Sequence, residues 1–194
     1  MFIVIEGLDG SGKSTVSQGL AKKLSAELLT TPGSCFKDIR KQLDLIFSNN
    51  TKARQLFYMS SVFKVSGEAK ELITLGQHVV VDRYWLSTQV YHSWMSDGNH
   101  LKFHEVEHEL LKPDLTVYLD LPLDERIKRI QTRNSNTRED IQTLTQKADK
   151  KLRCLYESMR NSQPIGNWLR VDASLDIELI VDIIFDKSQE LRLL

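Results

Sequence analysis

The sequence predicts an α/β fold, a parallel sheet of about five strands with helices on both faces. Three observations predict it. Short runs that are apolar throughout recur along the chain, as strands buried on both faces require. Segments with helical periodicity lie between them. A glycine-rich turn joins the first apolar run to the first helical segment.

The elements follow in order. Phe2 to Ile5 is a buried strand, and Val16, Leu20 and Leu24 mark a helix beginning at Ser14. Glu27 to Thr31 is a second strand, stopped by Pro32-Gly33. Ile39, Leu43 and Phe47 predict a helix, and Leu56 to Leu75 another, closed by Gly76. Val79 to Asp82 is the clearest interior strand, and Leu115 to Leu121 is the next, ended by Pro122. Glu125 to Arg133 and Ile141 to Arg160 are predicted helices separated by the polar stretch 134–140. Trp168 to Val171 is the last strand, and Ile177, Ile180, Val181 and Ile184 stripe the last helix. With no repeat, low-complexity tract or linker, residues 1–194 read as one domain.

Composition narrows the function classes. Lysine plus arginine number 26, as do aspartate plus glutamate, so no net field recruits nucleic acid or an anionic membrane. No apolar run approaches the ~20 residues of a membrane span, and Met1 to Ile5 is too short for a signal sequence. Cys35 and Cys154 lie far apart in no metal-binding spacing, and read as reduced thiols of a cytoplasmic protein.

The turn Gly7-Leu8-Asp9-Gly10-Ser11-Gly12-Lys13-Ser14 fits G-x-x-x-x-G-K-[ST] at every fixed position, and Thr15 follows. Its glycines let backbone N–H groups converge on phosphate oxygens, and the new helix adds its positive end. Lys13 is expected to reach the β- and γ-phosphates of ATP, and Ser14 to ligate Mg²⁺.

Several segments in this order resemble the thymidylate kinase family. They are Phe2 to Thr15, Asp82-Arg83-Tyr84 with Ser87 and Tyr91 after it, Pro113 to Pro122, Arg133 with Arg138-Glu139, and Val171 to Ser174. The resemblance implies a three-layer P-loop kinase fold with a short lid at about 133–140, and ATP-dependent phosphorylation of a pyrimidine nucleoside monophosphate, dTMP by default. It implies that Asp9 accepts from the acceptor's sugar hydroxyl, Asp82 holds hydrated Mg²⁺ and Arg83 binds the acceptor phosphate. Phe57 would stack on the acceptor base beside Tyr91, Ala173 would lie beside adenine, and Arg133 and Arg138 would close over the transferring group. It also implies a homodimer.

Two features depart from the family pattern. The first Pro-Gly turn, Thr30 to Cys35, lacks the family's phosphate-binding arginine, so Arg40 or Arg54 would supply the charge. One helical turn after Phe57, where a thymine-reading arginine is usual, stands Ser61. Pro32 to Cys35, Phe57-Tyr58, Asp82 to Trp85, Leu110 to Leu115 and Thr137 to Glu139 instead resemble mitochondrial-type UMP/CMP kinases. Three further readings are weighed. A deoxynucleoside kinase would need a carboxylate base, for which Glu6 is the candidate. A non-catalytic sensor would keep the loop without turnover. His104-Glu105-Val106-Glu107-His108 matches a zinc-peptidase helix, but here reads as a charged surface helix.

Overall fold

The computed structural model describes residues 1–133 and 138–192. Five strands, β1 (Phe2–Gly7), β2 (Glu27–Thr30), β3 (Val79–Asp82), β4 (Leu115–Asp120) and β5 (Asn167–Asp172), form one parallel sheet in the order β2-β3-β1-β4-β5. The helices are α1 (Lys13–Leu24), α2 (Lys37–Ile46), α3 (Thr51–Thr74), α4 (Trp85–Met95), α5 (Leu123–Gln131), α6 (Arg138–Gln142), α7 (Gln146–Met159) and α8 (Ile177–Arg192). Among the described residues no helix is long and apolar enough to cross a membrane.

Alternation along the buried strands builds two cores. Phe2, Val4, Val79 and Val81 face Met59, Val62 and Val65 of α3, Leu86 and Val90 of α4, and Leu152 and Tyr156 of α7. Ile3, Ile5, Val80 and Val117 face Val16 and Leu20 of α1 and Ile180 and Ile184 of α8. Burial on both faces is why these strands read as unbroken apolar runs. Ile5 pairs with Asp82 and Gly7 with Leu119, so the carboxyl ends of β1, β3 and β4 share one edge. The connection from β1 runs to β2 on one side and that from β3 passes over β1 to β4 on the other, the kind of switch point where open α/β sheets bind ligands.

Four expectations need correction. α4 was not foreseen. Its polar Ser87, Thr88, Gln89, His92 and Ser93 are as buried as its apolar residues, so the sequence shows no amphipathic stripe. α3 starts at Thr51, before the expected Leu56, because the Asn50 side chain accepts from Ala53 N–H at 3.0 Å and caps it. The helix expected over 141–160 is two, since Thr145 caps α7 by accepting from Ala148 N–H at 3.2 Å. Residues 104–108 form turns and the start of a 3₁₀ turn, Glu107–Glu109, in place of the expected surface helix. His104 and His108 therefore lack the shared helical face a zinc pair requires.

Two glycines give contrasting tests. Gly166 has φ +74°, and a Cβ there would sit 1.9 Å from the Pro113 carbonyl oxygen. Gly67 is exposed within α3, and a Cβ there would touch nothing within 4 Å. By urea denaturation, Gly166→Ala is expected to destabilise the fold by about 2 kcal/mol or more. Gly67→Ala is expected to stabilise it by roughly 0.5–1 kcal/mol.

Candidate active site

The site is built where β1 breaks into α1. Gly7, Gly10 and Gly12 have φ of 146°, 86° and 92°, which side chains disfavour. At Gly7 a Cβ would also lie 2.7 Å from the Leu119 carbonyl oxygen. The first bond of α1 runs from Val16 N–H to the Gly12 carbonyl at 3.0 Å. The amides at the start of the helix precede it, as an anion-binding turn requires. Lys13 folds back and donates to the Leu8 carbonyl at 2.7 Å. Burial, reinforced by the nearby Arg83 charge, lowers its pKa to about 7, against the opposing pull of Asp9, Asp82 and Glu6. Ser11 is buried, and its hydroxyl has no partner among the described residues.

β3 delivers the second half. Asp82 ends the strand and accepts from the Ser14 hydroxyl at 2.6 Å through Oδ2, while its buried Oδ1 has no partner among the described residues. Arg83 follows with φ 66°, left-handed backbone that a non-glycine residue adopts only under constraint. The constraint is Glu6. It is fully buried in β1 and accepts at Oε1 from the Tyr84 and Ser87 amides at 3.0 and 3.2 Å. Its Oε2 accepts from the Ser87 hydroxyl. Burial pushes the Glu6 pKa up against these hydrogen bonds. Held this way, Glu6 braces the Arg83 turn and the start of α4.

Arg83 and Asp9 form an ion pair, and the Tyr91 hydroxyl donates to Asp9 Oδ2 at 2.7 Å. Burial would raise the Asp9 pKa, but Arg83 foremost, then Lys13 and Tyr91, hold it at about 2. The guanidinium of Arg83 lies 5.5 Å from the Tyr91 ring centre. This cluster lines a cavity of about 150 Å³. Arg40, Arg54 and Tyr58 form one wall, and Thr88, His92 and Met95 of α4 form the other. Arg40 donates to the Tyr58 hydroxyl at 3.0 Å and Arg54 to Asp44 at 2.9 Å, so both arginines converge on Tyr58.

The structure thus brings together Asp9, Lys13, Ser14, Asp82, Arg83 and Tyr91, and draws Arg40 and Arg54 to the cavity. Phe57 and Ser61 are not on its wall. Phe57 packs edge-on against Phe36 at 5.5 Å, and its neighbour Tyr58 takes the cavity position. Ser61 is fully buried, with its hydroxyl donating to the Tyr58 carbonyl at 2.6 Å. Thr15 is exposed on α1. Ala173 is buried and accepts from Arg129 Nη2 at 2.9 Å. Arg133 is exposed just past α5. Arg138 opens α6, but its side chain lies outside the described residues, as does most of the expected lid.

Several residues were missed. Arg126 is fully buried and donates to the Asp9 carbonyl at 2.7 Å, to Asp149 at 2.7 Å and to Thr143 at 3.0 Å. It ties the glycine-rich loop to α5 and α7. A lone arginine in a helix reads as solvated, and nothing local marks it. Arg129 lies beside Gly12 as well as Ala173, with Nη1 3.5 Å from where a Gly12 Cβ would be. Thr88 and His92 went unseen because α4 did.

A glycine-rich anion loop beside a polar cavity, on this sheet order, defines a P-loop kinase. The chain belongs to the thymidylate kinase family, whose profile matches residues 5–184, and it is accordingly a phosphotransferase. A probable thymidylate kinase of Methanococcus maripaludis is 36% identical over 165 residues, covering 84% of this chain and 78% of that protein. The human protein UMP-CMP kinase 2, mitochondrial, is 36% identical over 168 residues, covering 82% of this chain and 37% of that protein. The structure of a thymidylate kinase from Candida albicans superposes with a TM-score of 0.72 at 24% identity, covering 98% of this chain and 92% of that one.

Lys13 gives a proton-linked test. Phosphate anions favour its charged form, so binding ATP should raise its pKa from about 7. At pH 8 the free amine is largely neutral, and ATP binding should take up close to one proton. Below pH 6 the amine is already charged and uptake through Lys13 should vanish. Calorimetry at pH 8 in buffers of different ionisation heat measures the uptake. Lys13→Ala should abolish it, and a buffer-independent heat for the native protein would contradict the assignment.

Proposed function

We propose that the chain transfers the γ-phosphoryl group of ATP to a pyrimidine nucleoside monophosphate, dTMP foremost, giving the diphosphate. The single observation that carries this is the Asp9–Arg83–Tyr91 cluster, which joins the glycine-rich loop to the cavity. Donor phosphates on the loop and an acceptor phosphate on Arg83 would meet there. Such transfer is mainly positioning and charge stabilisation, so the residues needed are cations and a metal site. Lys13 supplies a cation at the loop. Arg133 and Arg138 are proposed to add charge when a lid over about 133–140 closes, a reading supported by Asp140, which lines the cavity. The glycines, Leu8, Ser11 and Thr15 would hold the ATP phosphates, and Ala173 with Arg129 would border its base.

The metal site fits Mg²⁺, a hard ion that takes oxygen ligands and keeps its waters. Ser14 Oγ and Asp82 are adjacent, and Asp82 Oδ1 is buried without a partner among the described residues, an arrangement an ion would satisfy. Bound Mg²⁺ would screen the charge of the donor phosphates. Asp9, held ionised at about pKa 2, is suited to accept from a sugar hydroxyl. An acceptor phosphate oxygen is already anionic at neutral pH, so no general base is needed. Glu6, fully engaged by α4, is poorly placed to serve as the base a nucleoside acceptor would require.

UMP or CMP is the second reading. It is favoured by Ser61, which turns away from the cavity where the family's base-reading arginine is usual. The protein is proposed to act in the cytoplasm as a homodimer. Leu45 and Ile46 of α2, 75% and 70% exposed, and Leu56 of α3 support an association surface.

The test is ADP formation with dTMP, dUMP, dCMP, UMP, CMP and the parent nucleosides under identical conditions. Turnover with monophosphates and none with nucleosides is expected. Lys13→Ala should lower kcat by ~10²-fold or more while the fold persists. Turnover of nucleosides alone, or near-normal kcat in a folded Lys13→Ala protein, would overturn the proposal.

A further inference from the structure

α4 turns Thr88, Tyr91, His92 and Met95 toward one cavity, the i, i+3, i+4, i+7 spacing of a single helix face. Tyr91 is tied to Asp9 at the loop end. His92 lies beyond it, its ring 5.5 Å from that of Tyr58 on the opposite wall. His92 is only 3% exposed, yet its Nδ1 has no partner among the described residues. A buried polar group without a hydrogen bond is costly and rare in a folded protein, unless a ligand completes it. Burial first, then the charge of Arg54, lowers the His92 pKa to about 3, so the ring is neutral at physiological pH.

A neutral imidazole carries one donor and one acceptor. Which nitrogen holds the proton is normally fixed by a hydrogen bond at the other one. Among the described residues nothing fixes it in His92. Thymine and uracil present N3–H as donor and the C4 carbonyl as acceptor. Cytosine presents the reverse, an N3 lone pair and a C4 amino donor. At the C4 position an arginine, which only donates, could serve the carbonyl but not the amino group, whereas a histidine free to change tautomer can serve either.

We propose that His92 reads the edge of the acceptor base and, by switching tautomer, accepts keto and amino pyrimidines alike. Resting on the pyrimidine monophosphate reading above, it assigns specificity to a residue of this chain's own cavity. Tyr58 would stack on the base face, and His92 would meet its edge.

The experiment uses the whole protein with ¹⁵N-labelled histidine, titrated separately with dTMP and dCMP. The His92 resonances are assigned by their loss in His92→Phe. Opposite tautomers in the two complexes are expected. In steady state, dTMP and dCMP should have kcat/KM values within about tenfold of each other. His92→Phe should lower both by roughly tenfold with KM for ATP unchanged. Should the phenylalanine variant fail to fold, His92→Ala serves for both assignment and kinetics. The same tautomer in both complexes, or unchanged kinetics in a folded variant, would overturn the inference. If the native protein turns over dTMP and the substitution changes neither rate, the inference alone fails. If it turns over no pyrimidine monophosphate, the proposed function fails with it.

Discussion

The ion pair between Asp9 and Arg83 is the interaction on which the site depends. It joins two strands, since Asp9 follows β1 and Arg83 follows β3. Neither charge could be withdrawn from water alone without a large penalty. Together, with Tyr91 donating to the other oxygen of Asp9, they hold a guanidinium on the cavity wall and a carboxylate beside it. Burial lowers the pKa of the neighbouring Lys13 to about 7, with the Arg83 charge adding to the effect and the Asp9 charge opposing it. One pairing therefore ties the loop to the cavity.

Much surrounding structure serves this pairing. Glu6 accepts from the amides that begin α4, and so holds the left-handed turn that aims Arg83. Arg126 grips the carbonyl of Asp9 from below. Parallel pairing of β1 with β3 aligns Ile5 with Asp82 and brings the two strand ends level. Of the six buried side-chain polar atoms without a partner among the described residues, Ser11 Oγ, Asp82 Oδ1 and His92 Nδ1 belong to the loop, the proposed metal position and the cavity, and Ser17 Oγ, Trp85 Nε1 and Tyr118 Oη belong to none of them. The three at the site are placed where a ligand would complete them.

Legibility in the sequence followed locality. The glycine-rich loop was legible because its chemistry is contiguous, and the interior strands because burial on both faces leaves unbroken apolar runs. Asp82 and Arg83 were legible as the end of such a strand. α4 was not, because a helix buried on all sides has no stripe, and Thr88 and His92 were lost with it. The exchange of Phe57 for Tyr58 is a smaller failure. Neighbouring residues on a helix differ by about 100°, and only the packing of α3 against Phe36 decides which one faces the cavity. Arg126 and Arg129 act through partners far away in sequence, Asp9 and Ala173, which no local pattern records.

The central claim is that Asp9 and Arg83 act as a unit in bringing donor and acceptor together. A double-mutant cycle tests it most directly, with kcat/KM for dTMP measured for the native protein, Asp9→Asn, Arg83→Met and the double variant. If Asp9 acts largely by holding Arg83, the double variant should lose little more than Arg83→Met alone, with a coupling of about tenfold or more. Losses that simply multiply would contradict the account.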